Sequence, residues 1–194
     1  MFTEGRVEVD GVGVRYLEAG NGSALVHVNG GPPTRAHDLL ARQFRVIALE
    51  APDPSPTVVG RAVASLGIGE FDLMATAEAG AAALRLALEA PERVRALVLE
   101  SPTAIRDDGS ELSRRLSEVA APTLVVFGTG DRQDVQDTGR IYAETIPNGH
   151  LVFVYDAGGA IGRDRPEAFA EVVADFLERR EAFVISRGQT VIHP

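Results

Sequence analysis

Cysteine and tryptophan are absent from the sequence, and aromatic residues make up only 6% of it. Without cysteine there is no disulfide framework and no thiolate chemistry. The shortage of aromatics disfavours surfaces that stack on bases or sugars. Basic residues are in the minority, 19 Lys+Arg against 28 Asp+Glu, and the net charge of −9 is spread along the chain. Nucleic acid and anionic membranes both call for basic patches, so neither is expected as a partner. No apolar run approaches a membrane span, and the opening Met1-Phe2-Thr3-Glu4-Gly5 has no apolar signal core. A cytoplasmic location is the expectation. What the chain does have is a hydrophobic content of 45% over 194 residues, enough for the core of one domain.

Short apolar runs alternate with helical stretches. Residues 6–9 and 14–17 flank Asp10-Gly11, a hairpin signal. Buried strands are predicted at 24–28, 44–49, 71–74, 94–99, 123–127 and 151–155. Helices are predicted between them, most clearly at 79–90, which is rich in Ala and Leu and closed by Pro91. A second, at 166–177, carries Phe169, Val172, Val173, Phe176 and Leu177 on one face. A hairpin followed by strand–helix alternation predicts an α/β fold: a mostly parallel twisted sheet of about eight strands with helices on both faces. Ligands of such sheets bind at the carboxyl ends of the strands. The segments to search are therefore 29–33, 75–80, 101–108, 128–132 and 156–162.

Several strings at those ends, in order, carry a family resemblance that spans nearly the whole chain. The stretch from Ala83 to Pro102 is similar to the helix and strand that follow the nucleophile in the α/β-hydrolase superfamily. Asn29-Gly30-Gly31-Pro32-Pro33 resembles the family's oxyanion loop, usually His-Gly-Gly-Pro. Residues 123–131 resemble the strand and turn that deliver the catalytic acid, and 156–169 the segment that carries the catalytic histidine. The resemblance implies an α/β-hydrolase fold. It also implies a site built from a nucleophile on a strained strand-to-helix turn, a histidine, a carboxylate and backbone oxyanion donors.

Set on these positions, the machinery is incomplete. Six residues on from Phe71 the turn centres on Ala77, which has no hydroxyl, with Ala75 and Ala79 where glycines are usual. A one-residue slip would centre it on Glu78, between Thr76 and Gly80, but would displace both strand and helix. The histidine position is Gly159, within Asp156-Ala157-Gly158-Gly159. Of the four histidines, His27 is expected inside a buried strand and His37 on the surface ahead of a helix at 38–42. His150 falls at the wrong end of its strand and His193 lies in the tail, so none is placed to serve the turn. Asp131 keeps the acid position, with Arg132 and Arg163 as candidate partners; alternatively it is a turn aspartate bonded to local backbone. Oxyanion donors would come from Asn29, Gly30, Gly31 and the N–H of Glu78. The Glu78 carboxylate either complements the helix dipole or occupies an anion site.

Two catalytic members are missing together, which fits relaxed or redirected selection and predicts that the elbow has lost its strain. The cap that such enzymes insert after the strand ending near Ser101 is reduced to 102–109, leaving one cap-less domain over 1–194 with a tail strand at 183–194. The expected function is a pseudoenzyme that binds a small molecule or a partner, inactive as a Ser-His-Asp hydrolase, without metal or other cofactor. Two alternatives stand beside it. One is an enzyme of different chemistry using Glu78 and Asp131, or a weak esterase. The other is a structural subunit, a homodimer through the tail, which otherwise docks on its own domain.

Overall fold

A computed structural model describes residues 1–28, 31–103, 111–131, 133–183 and 191–193. The chain opens with a hairpin of β1 (Thr3–Val9) and β2 (Val12–Ala19). Asp10 (φ 52°) and Gly11 (φ 80°) both take the left-handed conformation that a tight two-residue turn between right-twisted strands demands. β2 pairs antiparallel with β4 (Arg45–Glu50). From there every pairing is parallel, through β3 (Ala24–Val28), β5 (Phe71–Thr76), β6 (Val94–Glu100), β7 (Thr123–Gly128), β8 (Gly149–Val154) and β9 (Val191–His193). The order across the sheet is β1-β2-β4-β3-β5-β6-β7-β8-β9.

The central strands are continuous apolar runs because helices cover both faces. On one face α2 (Pro56–Ser65), α3 (Ala79–Glu89), α4 (Glu111–Arg115) and α5 (Gln133–Thr145) cover a core that includes Leu73, Leu84, Leu97 and Phe127. On the other, α1 (Arg35–Leu40), α6 (Ile161–Asp164) and α7 (Pro166–Arg179) cover one that includes Leu25, Met74, Val98 and Phe169. The predicted apolar stripe of α7 is buried as expected, from Phe169 to Leu177.

Three expectations need correction or extension. The sheet has a ninth strand. It lies at the far end of the tail and pairs with β8 of the same chain, so at that point the tail docks on its own domain. The predicted tail alternation at 184–186 lies outside the described residues. α1 begins at Arg35 rather than 38, which brings His37 into the helix and turns it inward. His37 is 4% exposed, not a surface residue.

Candidate functional site

At the carboxyl end of the sheet β5 turns into α3 at Ala77. The expected relaxation of this elbow is not found: Ala77 has φ 49°. The physical cause is that its neighbours set the conformation. Its N–H donates to the Glu100 carbonyl at 3.0 Å, and its own carbonyl accepts from Gly80 at 3.1 Å and from Thr103 at 3.4 Å. The sheet, the helix start and the segment after β6 thus fix both sides of the peptide, whatever side chain stands there. Ala75 and Ala79 are both buried where the turn is tightest, and Glu78 projects exposed from the head of α3.

Ser101 (φ 40°) and Asp156 (φ 55°) are also left-handed, just past the ends of β6 and β8. The Ser101 hydroxyl donates to Oδ2 of Asp131 at 3.1 Å, and the Gly128 N–H donates to the same oxygen at 2.9 Å. Only glycine fits at 128, because a Cβ there would collide with the Ala157 carbonyl. The β7 turn and the loop after β8 are therefore pressed together. A Cβ at Gly159 would lie 3.5 Å from Asp131 Oδ1 and 4.0 Å from Ser101 Oγ. A side chain at 159 would face the carboxylate.

Behind the elbow, on the α1 side of the sheet, runs a closed ring of hydrogen bonds. The Thr34 N–H donates to His37 Nδ1 at 3.0 Å. His37 Nε2 lies 2.7 Å from His27 Nδ1, and His27 Nε2 lies 2.9 Å from Thr76 Oγ1. The Thr76 hydroxyl donates to Glu100 Oε2 at 2.8 Å, and Oε1 of the same carboxylate accepts from the Gly162 N–H at 2.8 Å. The Thr34 hydroxyl, donating to the Gly162 carbonyl at 3.1 Å, closes the circuit. The two ends fix the tautomers. A backbone donor at His37 Nδ1 places the proton on Nε2, and a threonine that gives its only proton to Glu100 must accept from His27 Nε2. Both imidazoles are neutral, each with one proton, and every proton points the same way along the chain from Thr34 to Glu100.

Burial enforces that neutrality. It pulls His27 down to about 3, with His37 adding to the effect, and pulls His37 down to about 4 despite the opposing pull of Asp38. Burial also pushes the Glu100 carboxyl up, against the donors from Gly162, Thr76 and Ile161 that favour its charged form.

The structure thus brings Asp131 and Gly159 together with Ser101, and places Ala77 on a strained turn with Glu78 exposed beside it. Asn29, Gly30 and Arg132 lie outside the described residues; of the proposed oxyanion loop Gly31 is described, left-handed at φ 75°. The hydrogen bonds described for Asp131 run to Gly128 and Ser101, as a turn aspartate's would, and not to Glu78. His27 is buried and bonded, as expected. His150 sits at the amino end of β8 against Phe176 and Phe183, away from the elbow. Sequence reasoning missed Ser101 and the ring. The available signal was polar residues at the tips of buried strands: Thr76 and Glu100 each directly precede a left-handed residue. Among the described residues no group of three His, Asp or Glu side chains is placed to hold a metal ion, and no helix is long and apolar enough to cross a membrane.

This strand order, with a strained elbow after the fifth strand and a carboxylate after the seventh, defines the α/β-hydrolase fold. Solved structures agree. A serine hydrolase involved in carbazole degradation superposes with a TM-score of 0.74 at 21% identity, over 92% of this chain and 99% of its own. Naproxen esterase from Bacillus subtilis gives 0.78 at 12% identity, over 91% of this chain and 92% of its own. A meta-cleavage product hydrolase gives 0.77 at 15%, over 90% and 97%. In sequence, a Pseudomonas putida protein named 2-hydroxy-6-oxononadienedioate/2-hydroxy-6-oxononatrienedioate hydrolase 2 is 36% identical over 78 residues, 40% of this chain. Its Cupriavidus pinatubonensis counterpart is 35% identical over 77 residues. The matches span only 26% and 25% of those relatives' lengths. No family model matches the sequence. The chain has the α/β-hydrolase fold, and its resemblance to that superfamily extends from the sequence to the structure.

Proposed function

We propose that this is a non-catalytic α/β-hydrolase-fold protein that binds a small carbonyl compound at the elbow. The observation that carries this reading is the left-handed Ala77. A residue held there costs of order 1–3 kcal/mol, and here it persists with no hydroxyl to present. A backbone cradle that once stabilised an oxyanion can still receive a carbonyl oxygen without attacking its carbon. The named substrates of the sequence relatives are dioates, but the exposed Glu78 beside the donors disfavours a dianion, so a neutral carbonyl fits better. The brief connection between β6 and α4 supports a site without a large cap. Gly159 supplies no base, and Asp131, the acid position, serves to anchor the β7 turn to Ser101.

Two measurements test this. Wild-type protein should turn over 4-nitrophenyl acetate no faster than the unfolded chain. The double variant Ala77→Ser/Gly159→His should gain at least a hundredfold, because it restores a nucleophile on the retained turn and a base facing Asp131. Wild-type turnover that Glu78→Gln or Asp131→Asn abolishes would instead establish the carboxylate-enzyme reading. In amide NMR spectra, acetophenone should shift resonances of residues 77–80; shifts confined elsewhere would defeat the site.

A further inference from the structure

The geometry points to the ring of Thr34, His37, His27, Thr76, Glu100 and Gly162 as an acid-sensitive latch on the elbow site, closed at neutral pH and released on acidification. Its control of a ligand rests on the binding function proposed above; the latch itself does not.

The ring joins segments that lie far apart in the sequence. Thr34 ends the loop that follows β3 and leads into α1. Thr76 immediately precedes Ala77, Glu100 immediately precedes Ser101, and Gly162 lies three residues beyond Gly159. Four of the five segments at the carboxyl end of the sheet therefore have a member in or beside one circuit, the β7 turn with Asp131 being the exception. The circuit has no spare donor or acceptor in the histidine pair. A second proton on His37 would have to sit on Nδ1, facing the Thr34 N–H, and a second proton on His27 would sit on Nδ1, facing the His37 Nε2–H. The proton on His27 sets donor against donor at 2.7 Å; the one on His37 displaces the Thr34 N–H at 3.0 Å and finds only Thr34 Oγ1, at the same distance, as an acceptor. The His27 and His37 side chains are nearly sealed from water, so no solvent can relieve the clash in place. Relief comes by moving α1 outward, since α1 carries His37 and is only six residues long.

The charged groups around the pair do not change this sign. Asp38, on α1 itself, favours a protonated His37 but is outweighed by burial. Glu100 on β6 is reached only through Thr76, and Asp164 on α6 faces Glu100 rather than the imidazoles. The N-terminal residue against His37 is Phe2, edge-on and uncharged. An opened histidine regains its ordinary value of 6.5, whereas His37 in the closed ring stays near 4. The opening equilibrium at pH 5 is therefore about 30-fold larger than at pH 7.5 from His37 alone, and more if His27 is also freed.

Hydrogen exchange of the full-length protein, corrected for intrinsic rate, measures this opening directly. From pH 7.5 to pH 5.0, peptides covering 35–40 and 161–164 should lose about 30-fold in protection or more, and at both pH values they should stay less protected than the β7 peptide at 123–128, as local opening requires. His37→Gln keeps an acceptor for Thr34 and a donor for His27 but cannot titrate in this range, so over the same interval it should lose less protection than the wild type. Thr76→Val cuts the ring and should open both segments at pH 7.5, while Thr76→Ser should restore them. Equal protection at both pH values, protection at 35–40 as high as in β7, or unchanged acid opening in His37→Gln would overturn the latch. Acetophenone shifts recorded at both pH values separate the two ideas. Absence of shifts at both would sink the ligand site and leave the latch standing, whereas shifts of equal size at both would sever the latch from the site.

Discussion

Ala77 keeps a left-handed backbone with a methyl side chain, at φ 49°. The β-carbon is the source of the strain, so removing it should help. Ala77→Gly is expected to raise stability by about 1 kcal/mol, visible as a higher melting temperature, provided the sheet and helix contacts persist. A fall in melting temperature would mean that the methyl packs more usefully than its conformation costs. Counting along the sequence could place Ala77, Gly159 and Asp131, because strand and helix lengths preserve spacing. It could not give the φ angle. That value is set by Glu100, Gly80 and Thr103, which bond to residue 77 from three other segments. The loss of a side chain's chemistry therefore carried no information about the backbone beneath it.

Between elements, the sharpest contact away from the site ties the end of α7 to the sheet. Asp72 on β5 is fully buried. It accepts from Arg95 on β6 at 2.9 Å and faces Arg180, just past α7, at 3.7 Å. Arg180 is itself left-handed (φ 47°), held at the turn where the helix stops. Asp72→Ala would leave two arginines over an apolar strand. Both are partly exposed, so the expected loss is about 2–3 kcal/mol rather than the larger figure for a sealed pair, read as a lower urea midpoint. Strands and long helices were legible because an unbroken apolar run or a 3.6-residue stripe is their own local signature. Short elements were not. Three residues of β9 carry no periodicity, and a shift of α1 by one turn sufficed to send His37 from the surface into the core.

For the molecule as a whole, the histidine pair sets a pH dependence whose sign is definite. Both native values are depressed, to about 3 and about 4, below the ordinary 6.5. Stability is therefore full above pH 6.5 and falls as pH drops toward those values, because the unfolded chain takes up protons first. By pH 5 each histidine should have removed about 2 kcal/mol, a result that needs only both native values to lie below 5. Glu100 works the other way, since its raised value favours the native state in acid. The urea midpoint should fall between pH 7.5 and pH 5, and His37→Gln should lessen the fall. The ring behind this was not readable from sequence. Its bonded partners stand 10, 49, 24 and 62 residues apart, and each is unremarkable in its own segment.

Those separations also impose an order of events. A circuit that runs from Thr34 to Gly162 cannot close until the chain past β8 has come home, and the widest of its loops carries the largest entropy of closure. β5 and α3 can pair and pack much earlier, from local contacts. The turn at Ala77 takes its bonds from Gly80, Glu100 and Thr103, so its left-handed shape can be set as soon as β6 lies beside β5. The ring beneath it closes only when the last third of the chain docks. Strain at the elbow is then an early acquisition of folding, and the circuit behind it a late one.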